Sequence, residues 1–241
     1  MLRALLVLLV AAISACDAGA ERAPSEGPAR RVASLSPAIT ATIVELGWAD
    51  RLVGRTPWCD EAKSVPVVGS LGEVDLERLA AVRPDLVLVQ RAAAGPPAGL
   101  VEVASARGWR LQEVPCTSLD DVRRMPARVA EAMREPSDPS IDAAWSRALA
   151  PVAAARERSP VTMLFSADPP QAFGQDTFLS QAWQAWGGST LPAGGGHPQL
   201  ALEDLFSAPP RRVVLVGAAT GAESLARACG SRGVDFEVIP G

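Results

Sequence analysis

Apolar residues along this chain fall into two alternating patterns, short unbroken runs and longer stretches spaced three or four apart. The run Val32-Ala33-Ser34-Leu35 is of the first kind and predicts a buried strand. Ser36 and Pro37 lead into a helix over 38–46, with Ser36 as the cap, Pro37 in the first helical position and Gly47 as the stop. Short strands are predicted at 52–54 and 65–68, with the loop Thr56-Pro57-Trp58-Cys59-Asp60 between them. A helix from Leu76, a strand at 85–89, a helix at 100–107 and a strand at 110–114 follow. Residues 121–134 and 141–158 read as helices separated by Pro136-Ser137-Asp138-Pro139. The second could extend about 25 Å, with Pro151 set to kink it or start a new segment. The rhythm then resumes with a strand at 161–165, a loop at 166–170 and a helix at 177–186, and closes with a helix at 223–231 and a strand at 234–239. Strand–helix alternation of this kind predicts an α/β fold, two Rossmann-like lobes with parallel sheets covered on both faces, joined by a long backbone helix.

Within that rhythm one motif occurs twice, 126 positions apart. Leu76-Glu77-Arg78-Leu79, Pro84 and Leu86-Val87-Leu88-Val89 are matched by Leu202-Glu203-Asp204-Leu205, Pro210 and Val213-Val214-Leu215-Val216. Leu, Glu, Leu, Pro and Val fall at the same offsets without a gap. Each copy predicts a short helix, a proline stop and a buried strand. The repeat implies two lobes of one design, each presenting a glutamate at the same place.

The first fifteen residues carry one arginine, an apolar stretch and small residues before Cys16, which describes a secretory signal. Spanning a bilayer takes roughly twenty apolar residues, more than this stretch offers. Residues 17–30 are small, polar and proline-bearing, as in a flexible tether. The organisation expected is thus a signal at 1–15, Cys16 and tether at 16–30, an N-terminal lobe at 31–120, connecting helices at 121–160 and a C-terminal lobe at 161–241. An apolar content of 48% can fill these cores, and a net charge of -4 gives no nucleic-acid footprint. Three cysteines remain beyond Cys16, in a compartment where disulfides persist. Cys59 and Cys116 each follow a predicted strand at the same end of a sheet, so a bridge between them is one of the pairings left open. The lone histidine, His197, excludes a multi-histidine metal cage.

The order of motifs V-A-S-L-S-P, V-G-R-T-P-W-C-D, V-G-S-L-G-E-V-D-L-E-R-L and R-P-D-L-V-L-V resembles the helical-backbone substrate-binding proteins of ABC importers, the vitamin B12-binding branch in particular. The likeness runs from about residue 31 onward. It implies a monomeric, non-enzymatic protein that clamps a metal chelate, cobalamin or another corrinoid first, in a cleft between its lobes. Delivery to a permease dimer with its ATPase subunits is implied as well. The Ser-Ala-Cys sequence at Cys16 is similar to the lipobox of bacterial lipoproteins, which implies a lipid anchor facing the periplasm or cell exterior. In the family a glutamate on each lobe docks on permease arginines, and the matching positions are Glu77 and Glu203.

Ligands of open α/β lobes sit at the carboxyl ends of strands, which nominates the post-strand residues Ser36, Trp58, Leu71, Gln90, Asp168, Phe173 and His197. By resemblance, Trp58 aligns with an aromatic that lies against the corrin ring, whereas Leu71 and Gln90 fall where the B12 protein has tryptophans. Because those two depart from the pattern, haem through His197 as an axial ligand and ferric siderophores through Arg55 or Arg91 remain alternative ligands. A receptor-like lipoprotein that no longer transports is a further alternative. A hydrolase built on Ser36, His197 and Asp168 is disfavoured, since Ser36 opens a helix as a cap would and no G-x-S-x-G elbow is present. Relative to the resembled family the chain stops early, at Gly241, so the second lobe is expected to expose apolar surface.

Overall fold

The computed structural model describes residues 26–70, 72–217 and 220–239. The signal, Cys16, most of the tether and Leu71 lie outside the described residues. The chain divides into two units. The first comprises the described residues up to Val114 together with Arg128–Pro136, and the second Pro115–Ala127 with Ser137 onward.

In the first unit the order is β1 (Val32–Ser34), α1 (Pro37–Glu45), β2 (Leu52–Gly54), α2 (Leu76–Ala81), β3 (Leu86–Gln90), α3 (Leu100–Arg107) and β4 (Arg110–Val114). These strands form one parallel sheet in the order β2-β1-β3-β4. Four consecutive residues of β3, Leu86 to Val89, are buried, as a strand covered on both faces requires. Its core packs Ala33, Leu35, Val87 and Val89 against Leu79 of α2, Leu100 and Ala104 of α3, and Trp109. Each large apolar side chain so buried contributes about 2 kcal/mol.

Helix α4 (Leu119–Met133) carries the chain from the second unit into the first, with Pro126 inside it next to the point of division. α5 (Ser140–Ala148) and α6 (Ala153–Glu157) follow, then β5 (Val161–Ala167), β6 (Pro170–Ala172), α7 (Phe178–Ala185), β7 (Thr190–Leu191), α8 (Leu202–Ser207), β8 (Arg212–Val216), α9 (Ala222–Gly230) and β9 (Asp235–Ile239). The sheet order is β6-β5-β8-β9. β7 runs parallel to the first residues of β5, and β6 folds back antiparallel along its last ones.

Of the two courses expected at Pro151 the segment takes the second: it ends one helix, α5, before the proline and starts another, α6, after it, because proline lacks the donor a helix interior needs. Three local expectations change. The longest helix among the described residues is α4, at 15 residues. Residues 65–68 make only the bridge of Arg55 with Val67, beside that of Gly69 with Val74, not a strand. Residues 166–170 are a hairpin rather than an open loop, since β5 continues through Ala167.

The repeated motif is one structural unit built twice. α2 and α8 each run six residues, β3 and β8 each run five, and both pairs keep the 126-residue offset. The backbone bonds around them recur as well. Asp85 N donates to Arg31 O at 2.8 Å, and Arg211 N to Pro160 O at 2.8 Å. Arg91 N donates to Val114 O and Gly217 N to Ile239 O, each at 2.9 Å. The helix after each central strand opens on a left-handed glycine, Gly99 at φ 73° and Gly221 at φ 77°. Side chains strain this backbone. Gly99→Ala and Gly221→Ala should each lower stability by about 1–2 kcal/mol in urea denaturation. Gly221→Ala should cost more, because a Cβ there would lie 2.9 Å from Asp168 Cβ.

Candidate functional site

Parallel strands put their following loops at one end of each sheet, and those loops carry most of the candidate residues; Phe173 instead follows the antiparallel β6. In the first unit Ser36 follows β1, the 55–59 segment follows β2, and Gln90 ends β3. Ser36 is fully buried. Its carbonyl starts α1 by accepting from Thr40 N, but its hydroxyl caps nothing. It donates instead to Gln90 Oε1 at 3.2 Å. Ser36 and Gln90 therefore form a pair that joins β1 to β3.

A buried polar chain continues from this pair. Thr40 Oγ1 donates to Ser34 Oγ at 2.8 Å, and Ser34 Oγ donates to Ser36 O at 3.2 Å. Cys59 Sγ lies 3.1 Å from both Thr40 Oγ1 and Thr56 Oγ1. The Cys59–Cys116 bridge is not formed: Cys59, Cys116 and Cys229 are all free thiols. Cys59 is fully buried and its sulfur faces two hydroxyls, a satisfied polar site rather than half of a crosslink. The residue before it, Trp58, is 60% exposed, the most exposed large hydrophobic residue described. Its indole has no hydrogen-bond or ring partner among the described residues.

The two arginines considered for anionic ligands differ. Arg55 donates from Nε to Val65 O, from Nη1 to Thr56 O and Pro57 O, and from Nη2 to Lys63 O, at 2.8–3.3 Å. Its guanidinium is spent within its own loop. Arg91, next to Gln90, is exposed and its side chain has no partner among the described residues.

In the second unit the structure brings Phe173 and His197 together, with ring centroids 5.8 Å apart. It adds Phe165 of β5, 5.3 Å from Phe173 and 5.4 Å from His197. All three contacts are edge-to-face, the arrangement aromatic quadrupoles favour. Phe165 was hidden in sequence because it reads as one more apolar residue of a buried strand. His197 is exposed, and its loop is clamped by backbone bonds. Gly174 N donates to Gly196 O at 2.8 Å, Gln175 N to Gly194 O at 2.9 Å, and Ala172 N to Pro198 O at 2.9 Å. Gly174 permits this approach, since a Cβ would lie 2.6 Å from Gly194 O. Asp168 is exposed at the β5–β6 turn, against Gly221 and away from any recorded aromatic contact.

Glu77 and Glu203 are each the second residue of their helix and exposed, with Leu79 and Leu205 buried two positions on. They occupy equivalent places in the two units. Among the described residues no three His, Cys, Asp or Glu side chains converge as a metal cage, and no helix is long and apolar enough to cross a membrane.

Comparisons with known proteins agree with this geometry. Residues 32–106 match the periplasmic binding protein family. The vitamin B12-binding protein of Pectobacterium carotovorum subsp. carotovorum (strain PC1) is 30% identical over 110 residues, 44% of this chain and only 39% of that protein's length. The fold is similar to the periplasmic vitamin B12-binding protein BtuF of Vibrio cholerae, with a TM-score of 0.66 and 17% identity over 88% of each chain. It is equally similar to the periplasmic heme-binding protein RhuT of Roseiflexus sp. RS-1, at a TM-score of 0.66 and 23% identity over 87% of this chain and 89% of that one. The architecture is thus the class III periplasmic-binding-protein fold, with a parallel sheet in the first unit and, in the second, a sheet parallel but for its edge strand β6.

Cys116 is half-buried, and burial, aided by the Asp121 carboxylate, pushes its thiol up from 9.0 to about 11. Thiolate is the reactive form, so at pH 7 only about one Cys116 in ten thousand is poised to react. Alkylation of Cys116, followed by mass spectrometry, should rise about tenfold per pH unit up to about pH 11. A plateau already reached by pH 9 would contradict this placement.

Proposed function

We propose that this chain is the substrate-binding component of an ABC importer, exported and tethered through lipid on Cys16, and that it captures a large flat metal chelate. The observation that carries the reading is Trp58, a bare indole on the loop following β2, at the ligand end of a parallel sheet. A broad aromatic face suits a corrin or porphyrin ring. The matched family and the fold support the class, and the B12-binding relative over the first unit favours cobalamin. Phe173 and His197, with Phe165, supply the second contact surface, and Ser36 and Gln90 brace the first. Glu77 and Glu203 serve as the docking carboxylates, since an exposed glutamate at the same point of each repeat can pair with bidentate arginines of a two-sided permease.

Haem is the second reading, and a specific observation favours it. His197 is exposed beside two phenylalanines, so its imidazole can reach a metal above an aromatic floor. Arg91, whose side chain has no partner among the described residues, can supply a cation for propionates or for an anionic siderophore, whereas Arg55 is bonded to four carbonyls of its own loop. Binding alone is proposed; the Ser36 hydroxyl is committed to Gln90 and meets no general base.

Titration of the purified protein with cyanocobalamin, haemin and a ferric hydroxamate distinguishes these readings. Cyanocobalamin should bind in the micromolar range or tighter, and Trp58→Ala should weaken it about tenfold, the loss of one stacked indole. Millimolar cobalamin binding beside tight haemin binding that fails in His197→Ala would select the haem reading. Absence of binding by all three would overturn the class.

A further inference from the structure

The loop that bears Trp58 is built around the side chain of the residue that precedes it. Arg55 is bonded at its own backbone to the far end of the excursion, N to Pro66 O at 3.0 Å and O from Val68 N at 2.9 Å. Its guanidinium then reaches back and donates to the carbonyls of Thr56, Pro57, Lys63 and Val65. These four acceptors lie on both limbs of the loop. Each charge-assisted bond is stronger than a neutral one, and lysine has no planar fork with which to span both limbs. From below, Cys59 packs its sulfur between Thr40 of α1 and Thr56, while Cys59 N donates to Thr56 O and Ala62 N to Cys59 O. The backbone around Trp58 is thereby held by both sets of bonds, while its indole has no hydrogen-bond or ring partner among the described residues.

We infer that Arg55 is a positioning residue for ligand capture: it freezes the 56–65 loop so that Trp58 stands as a rigid platform before ligand arrives. The inference rests on the reading of Trp58 as a ligand contact. Ordering a loop and an aromatic side chain on binding reduces affinity, and a loop ordered in advance avoids that loss. Four of the five N–H donors of Arg55 are committed to carbonyls of its own loop, so its part is to hold the loop rather than to grip the ligand.

A double-mutant cycle tests this on the whole protein, with cyanocobalamin and haemin as the probes. Arg55→Met should weaken binding of whichever probe the wild type binds by about fivefold, and Arg55→Lys should restore little of the loss. In a Trp58→Ala background the same Arg55→Met change should have almost no further effect, because the platform it serves is gone. The Trp58 indole N–H resonance should broaden or shift in Arg55→Met, while the indoles of Trp183 and Trp186 stay in place. An equal loss of affinity from Arg55→Met with and without Trp58 would overturn the inference and leave Arg55 a general stabiliser. Unchanged binding in Arg55→Met would overturn it too. Unchanged binding in Trp58→Ala would instead overturn the assignment of Trp58 as a contact, a distinguishable failure.

Discussion

Each unit depends on one central parallel strand, β3 or β8, paired on both edges and buried on both faces. Such a strand can form only if every backbone donor and acceptor finds a neighbour and both faces are covered. One face is covered by the helices that precede and follow it in the chain, α2 and α3 against Val87 and Val89, α8 and α9 against Val213 and Leu215. Parallel pairing then puts the loops that follow the parallel strands at the same end, while antiparallel β6 runs back along β5. Function follows from that geometry, because an end crowded with short loops is where the fold can change side chains without touching its core.

The two units use this end differently. In the first, a buried polar chain of Gln90, Ser36, Ser34, Thr40, Cys59 and Thr56 ties the strand ends to the loop above. Unpaired polar groups in such a place would be costly, so the chain must be complete. Its effect is to leave the one large apolar side chain there, Trp58, facing out. In the second unit the equivalent task falls to backbone contacts among glycines, which clip the 192–200 loop onto the residues after β6 and set His197 against Phe165 and Phe173. The loop after β2 and the loop after β7 thus each end in an exposed aromatic, one flat and apolar, one able to ligate.

Much of this was legible in the residues. The 126-residue repeat located α2, β3, α8 and β8 to within a residue or so at their starts, because a Leu-Glu-x-Leu helix stopped by proline and followed by an unbroken apolar run has few other conformations. Helix 100–107 and strand 110–114 were equally readable, bounded by Gly99 and Gly108. What escaped were features set by tertiary contact. β6 and β7 are two or three residues each and form only because β5 offers an edge. Arg55 looked like a ligand-binding cation, and only the folded loop shows that four carbonyls surround it. Ser36 looked like a helix cap, yet its hydroxyl turned to a glutamine fifty-four residues away. Hydrogen-bonding side chains have several outlets, and sequence does not say which one the fold supplies.

The most direct test of the proposed binding role is hydrogen–deuterium exchange of the whole protein, with and without cyanocobalamin or haemin. The account predicts that the probe slows exchange in both the 55–65 segment and the 172–176 and 194–200 segments, while the exposed helices α2 and α8, bearing Glu77 and Glu203, are unchanged. Protection confined to α2 and α8, or spread along the strands without the loops, would contradict it.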